Sequence, residues 1–208
     1  ARALMADSLG FHIIFALLGV GLPLVILLLE HLGLRRKDPL ILEHARRLSH
    51  ATVILVVAGV ASGTIISIQM SLMWGGLVEF GGPILGLAFG WEGYAFMLEA
   101  VFLALYVSTW NKWRGWLHWG IGVPVALGSL GSAFAITLGN AWMQNPSGFE
   151  VIKGVATTDN PLAALMTKTA FFMISHSVAG YYLATMLCVL GVYAFYMLKY
   201  KPIGKDRQ

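Results

Sequence analysis

The feature that most constrains this chain is a series of apolar stretches, each about as long as the 20 residues a helix needs to cross bilayer hydrocarbon. They run over about 9–34, 50–73, 92–110, 117–143 and 170–198. Only 12% of the residues are charged, roughly half the share found in soluble domains. The solvent these segments suit is therefore lipid. The expected architecture is all-α: a polytopic transmembrane bundle of about five helices, forming one domain over residues 1–208. A Gly-rich stretch at 75–90 reads as a connection between the second and third helices, and a polar connection at 144–168 precedes the fifth.

Lys and Arg are distributed unequally between the two sets of connections. One side carries Arg35, Arg36, Lys37, Arg46, Arg47, Lys112, Arg114, Lys199, Lys201, Lys205 and Arg207, and the other carries Arg2, Lys153 and Lys168. The positive-inside rule places the richer side in the cytoplasm, so the N-terminus is expected outside and the C-terminus inside. The net charge of +4 is then a topology signal and a possible contact for anionic lipid, not a nucleic-acid footprint. Trp74, Trp110, Trp113, Trp116, Trp119 and Trp142 fall near segment ends, where interfacial anchors belong. Arg2 is followed at once by a long apolar segment with no small-residue cleavage site, which argues against a cleaved signal. The lone Cys188 gives neither a disulfide nor a metal motif and reads as a core or lipid-facing residue. The 24 glycines suggest close helix packing, with Gly19, Gly21, Gly120 and Gly122 as examples.

Ionisable groups within apolar spans are costly and therefore informative. His12 and His176 lie at similar depths in the outer half of the first and fifth helices. Neutral imidazole ligates haem iron well, and the small residues Gly10, Ala179 and Gly180 leave room beside each ring. The competing reading is a histidine hydrogen-bonded to a neighbouring helix. Glu92 and Glu99 are seven residues apart, roughly 10 Å along one helix face. Such a pair can relay protons, ligate a metal or partner a cofactor. Glu92 also fits a helix start, where a carboxylate favours the dipole; Glu99 lies deeper and has no such reading. Gln69, Ser132 and Asn140 individually read as helix–helix hydrogen bonds. Met70, Met73, Met97 and Met143 are thioethers able to ligate a low-spin haem, though Met is common filler. His31, His44, His50 and His118 fall at or beyond the cytoplasmic helix ends and read as solvated or interfacial.

Several blocks resemble the N-terminal portion of cytochrome bd oxidase subunit I. They are Arg2 with Gly10-Phe11-His12, Gly59-Val60-Ala61-Ser62-Gly63 through Gln69 to Trp74, Glu92-Gly93 with Phe96-Met97-Leu98-Glu99, Val125 to Ser129 through Ser132 to Asn140-Ala141-Trp142-Met143-Gln144-Asn145-Pro146, and Ser175-His176-Ser177-Val178-Ala179-Gly180-Tyr181. The resemblance implies a haem-binding subunit of a quinol oxidase in a bacterial or archaeal cytoplasmic membrane. In it, His12 would be an axial ligand in the oxygen-reducing haem pair and His176 a ligand of the low-spin haem b that takes electrons from quinol. Glu92 and Glu99 would belong to the haem pocket and proton path, Glu92 being also a metal-ligand candidate. Ser132 would lie on that path, Asn140 near the haem pair, Gln69 in a cofactor-binding role, and Arg2 at a haem propionate.

The cofactors implied are haem b and either haem d or a second and third b-type haem. Departures accompany the match. Ser67 stands where the family usually has an acidic residue. The methionine completing the low-spin site, the quinol-binding loop and a later glutamate ligand are missing from this sequence. The basic tail reads as a cytoplasmic end, and the expectation is either a fragment of a longer chain or a short or split relative. Partner membrane chains, resembling the C-terminal half of subunit I and subunit II, would complete the haem and quinol sites. The alternative function is a haem b electron-transfer subunit that links the quinone pool to another redox protein without reducing oxygen.

Overall fold

A computed structural model of the chain describes residues 1–113 and 115–200; Arg114, Lys201, Lys205 and Arg207, expected on the basic side, lie outside the described residues. The elements are α1 (Arg2–Arg36), α2 (Pro39–Met73), α3 (Gly75–Thr109), α4 (Trp116–Gln144), β1 (Glu150–Ile152), β2 (Val155–Thr157), α5 (Pro161–Leu165) and α6 (Ala170–Tyr200). Among the described residues, five helices are long and apolar enough to cross a membrane: α1, α2, α3, α4 and α6. The chain is an integral membrane protein. Its short turns at 37–38 and 110–115 share a basic end with the close of α6, and the hairpin of β1 and β2 marks the opposite end.

α1 begins at Arg2 instead of about residue 9, and two further expected boundaries were also too late in the chain. The charged segment before residue 50 is mostly helix, because the turn from α1 to α2 is made by two residues. Lys37 takes φ 54° and donates its N–H to the Gly33 carbonyl. Asp38 then caps α2, accepting from the N–H groups of Leu40 and Ile41, and Pro39 supplies the first helical position. Arg46 and Arg47 therefore stand on α2, where exposed Arg47 pairs with Glu43 one turn earlier.

The second correction is larger. The Gly-rich stretch 75–90 is the first half of α3, not a connection. Tertiary packing overrides the low helix propensity of glycine here. Ile84, Leu85 and Ala88 form one buried stripe against Trp142, Ala156, Ala164 and Leu165. Gly81 lets α4 close in, since a Cβ there would lie 3.1 Å from the Trp142 ring. At about 1.5 Å per residue, α1, α2 and α3 each exceed the ~30 Å hydrocarbon core. The early turns of α3 join the hairpin and α5 in a cap at that end. Positive φ at Lys153 (51°) and Gly154 (83°) makes the two-residue turn between β1 and β2.

The interior lies among α1, α3 and α4, with α2 contributing Ala45 to a core of Leu22, Ile26, Leu103, Tyr106 and Val125. Small residues set the close approaches. A Cβ on Gly128 would sit 2.8 Å from the Ala95 carbonyl oxygen and 2.9 Å from the Glu99 nitrogen, so α4 crosses α3 almost backbone to backbone. Gly21 accommodates Thr185 of α6, whose hydroxyl donates to the Leu17 carbonyl at 3.2 Å. Gly122 packs against Leu27 and Tyr106, whereas Gly120 faces open space. In α6 only Ala170 and Thr185 are buried. Met173, Ile174 and Val189 pack partly against the bundle, and most of the rest of its apolar surface, Cys188 included, is exposed.

Candidate functional site

A cavity of about 650 Å³ opens between α1, α2 and α3, with one wall completed by Ser132 and Ile136 of α4. Its size falls within the ~300–1,000 Å³ usual for small-molecule and cofactor sites. Apolar side chains make most of the lining, and His12, Glu92, Glu99, Ser132 and Met70 supply its main functional groups. Three of the four ionisable residues singled out from the sequence thus converge on one space.

His12 is held by α2. Its Nδ1 lies 3.0 Å from the Ser62 hydroxyl, the Gly59 carbonyl is a second polar neighbour of the ring, and no side-chain hydrogen bond engages Nε2 among the described residues. The ring rests on the Gly63 position, where a Cβ would come within 3.1 Å of Cε1. A Cβ there would press on the ring, which would have to give by a few tenths of an ångström.

Glu99 is 5% exposed. None of the side-chain hydrogen bonds among the described residues involves its carboxylate, and it lines the cavity. Glu92 lies half-buried on the same wall. The helix-start reading of Glu92 is excluded, because α3 begins at Gly75 and Glu92 falls at its midpoint. No N-terminal dipole compensates it there. A pair of uncompensated carboxyl groups in an apolar span, open to a cavity, can exchange protons with water or with a bound group.

The other candidates do not gather here. His176 is exposed on α6 and does not line the cavity, so nothing in the fold brings it to the same iron as His12. Arg2 and Asn140 are exposed. Gln69 donates from Nε2 to the Ser8 hydroxyl at 2.9 Å, while its Oε1 is buried without a partner. Among the described residues, no three His, Cys, Asp or Glu side chains cluster as a metal site. A bare cation would need such a cluster, whereas iron in a porphyrin needs only an axial ligand from the protein. One imidazole with a free nitrogen, a cavity of this size and apolar walls fit a haem.

Sequence reasoning missed a second polar group, at the basic end. His118 is not interfacial. It is 2% exposed, as are Glu30 and Tyr106. Its Nδ1 meets Glu30 Oε1 at 2.6 Å, and its Nε2–H donates to the Tyr106 carbonyl at 2.9 Å. The Tyr106 hydroxyl donates to Glu30 Oε2 at 2.6 Å. Trp110 stands edge-on to both rings. The available signal was Glu30 itself, a carboxylate within an otherwise apolar run. His44 is likewise not free: the Tyr193 hydroxyl lies 2.8 Å from its Nδ1, tying α6 to α2.

Comparison with known proteins gives one consistent relationship. The sequence profile described as cytochrome bd terminal oxidase subunit I matches residues 1–208. A Bacillus subtilis (strain 168) protein provisionally named cytochrome bd menaquinol oxidase subunit I is 34% identical over 199 residues, covering 96% of this chain and 45% of that protein. Cytochrome bd ubiquinol oxidase subunit 1 of the same organism is 30% identical over 210 residues, covering 100% and 45%. The solved bd oxidase from Geobacillus thermodenitrificans aligns with a TM-score of 0.91 at 34% identity, over 94% of this chain and 46% of that one. This chain therefore spans just under half the length of these relatives.

Proposed function

Because this chain belongs to the cytochrome bd terminal oxidase subunit I family, we propose that it is a haem-binding membrane subunit of a quinol oxidase. The complex would move electrons from quinol toward oxygen. The observation that carries this is the convergence of His12, Glu92 and Glu99 on one cavity of cofactor size. Haem, when bound, supplies the one-electron and oxygen chemistry that side chains cannot.

The chain's own residues have narrower tasks. His12 offers Nε2 as an axial ligand. Glu99 and Glu92 hold exchangeable protons on one face of α3, and Ser132 offers a hydroxyl on the same cavity wall. Apolar side chains around them exclude bulk water, so protons arrive through these groups instead of through solvent. His176, on the exposed face of α6, would hold a different haem, of b type. Arg2 offers a propionate partner at the N-terminal end. The unequal Lys and Arg counts support an outward N-terminus, with the cavity in the outer half of the bilayer.

Further membrane subunits cover α6 and bring the quinol site. Exposure along most of that helix and the coverage of under half of each relative support this reading. The test is a reduced-minus-oxidised spectrum with pyridine haem analysis of the purified complex, compared with its His12→Ala and His176→Ala variants. The two variants are expected to lose different components. Loss of the same single component by both would overturn the assignment to separate haems, and an unchanged haem content in both would overturn haem ligation.

A further inference from the structure

The hydroxyl of Ser62 has a geometry that determines what His12 can present to the cavity. Ser62 is 5% exposed on α2. Its Oγ lies 2.9 Å from the Ala58 carbonyl and 3.0 Å from the Gly59 carbonyl. Carbonyl oxygens only accept, so the single hydroxyl proton points back into its own helix. The lone pairs of Oγ are then what face His12 Nδ1 at 3.0 Å. An acceptor at that position calls for a donor, which makes Nδ1 the protonated nitrogen and leaves Nε2 with its lone pair. Gly63 lets the ring pack closely beside Ser62, since a Cβ there would come within 3.1 Å of its Cε1.

We propose that Ser62 is the positioning residue of the haem site: it fixes the tautomer and orientation of His12 so that Nε2 is the iron-binding nitrogen. This rests on the assignment of His12 as an axial ligand. The contact also has an electronic consequence. An acceptor on Nδ1–H makes imidazole a more basic donor, which strengthens its bond to iron and favours the oxidised state.

The experiment uses the assembled complex. His12→Ala first identifies the spectral component that depends on this ligand. Ser62→Ala, Ser62→Cys and Ser62→Thr are then compared with the unmodified complex by redox titration of that component and by transfer of haem to an excess of a haem-scavenging apoprotein. Ser62→Ala is expected to raise the midpoint potential and to weaken haem retention about 10- to 100-fold, the usual cost of losing a ligand's outer partner. Ser62→Thr, which keeps the hydroxyl, restores both. Ser62→Cys, with a similar shape and a weak acceptor, follows alanine and serves should the alanine variant fail to assemble. A potential and haem retention unchanged in Ser62→Ala, or in Ser62→Cys should alanine fail, while His12→Ala abolishes the component, would overturn the proposal and leave the ligand assignment standing. If His12→Ala changes nothing, the ligand assignment itself fails.

Discussion

At the basic end of the bundle, Glu30, Tyr106 and His118 use both carboxylate oxygens and both ring nitrogens on one another and on the backbone. At the hairpin end, His12 keeps one nitrogen unbonded among the described residues, and Glu99 has no hydrogen-bond partner there. The same helices build both sites. Glu92, Glu99 and Tyr106 recur every seven residues along one face of α3. In a low dielectric a complete polar network is tolerable, and an incomplete one costs free energy. The closed cluster therefore reads as structure. The open one reads as a place where a missing group is expected, and its cavity supplies the room. This contrast makes its own predictions about what each site contributes.

The largest expected effect is on the closed cluster. Glu30→Ala leaves His118 Nδ1 and the Tyr106 hydroxyl buried without partners. Breaking such a buried pair from one side costs about 3–5 kcal/mol. The variant should show a large drop in thermal midpoint in detergent, with little folded protein recovered from membranes. Glu30→Gln keeps a hydrogen-bonding side chain of the same length and should lose much less. An alanine variant that melts with the unmodified protein would erase the distinction between the two sites.

Gly128→Ala comes next, and it probes the scaffold between them. The new Cβ would meet backbone atoms of Ala95 and Glu99 at 2.8–2.9 Å, which a side-chain rotation cannot relieve. Overpacking of this kind costs about 1–3 kcal/mol. Because α3 must shift where Glu99 is attached, haem retention should fall together with the melting temperature. A variant that loses stability but keeps its full haem complement would show that the cavity tolerates movement of α3.

Glu99→Gln should behave in the opposite manner. The amide keeps the shape and removes a costly ionisable group from an apolar span, so stability should change by less than about 1 kcal/mol. The amide cannot carry a proton. Steady-state oxygen consumption by the complex should therefore fall strongly, while single-turnover haem reduction by quinol persists. Unchanged oxygen consumption would separate Glu99 from proton delivery. Loss of both activities with haem retained would give Glu99 a structural role and bring it closer to Glu30.

The sequence made some of this contrast visible and hid the rest for physical reasons. The spans were legible because apolar length is a local property, and the candidates His12, Glu92 and Glu99 were visible because ionisable groups in such spans stand out; that they share one cavity was suggested only by the family resemblance, because depth alone paired His12 with His176. The helical start of α3 was not legible. Its glycines argue locally for a connection, and only Trp142 and the distant residues Ala156, Ala164 and Leu165 make helix the better state. His118 was misread because position alone placed it at a helix end. Its burial depends on Glu30, 88 residues earlier. Ser62 was noticed only as part of a motif, since a hydroxyl bonded to its own helix resembles any other membrane serine until its neighbour across the interface is known.

The smallest structural effect is expected at His176, and there the comparison gains a third kind of site. This imidazole is exposed on α6 and touches neither polar group. Replacing it should leave the thermal midpoint of the protein unchanged, because no buried partner is orphaned. If α6 carries a b-type haem completed by a neighbouring subunit, His176→Ala should nevertheless remove a low-spin b-type component from the spectrum of the whole complex. The component identified by His12→Ala should remain. A polar residue can thus be satisfied within the chain, as Glu30 is, by a group held in the chain's own cavity, as His12 would be, or by a group shared with a partner, as His176 would be. Only the last predicts a spectral loss without a stability loss and without any change at the His12 haem. A spectrum of His176→Ala identical to that of the unmodified complex would make this histidine an ordinary surface residue.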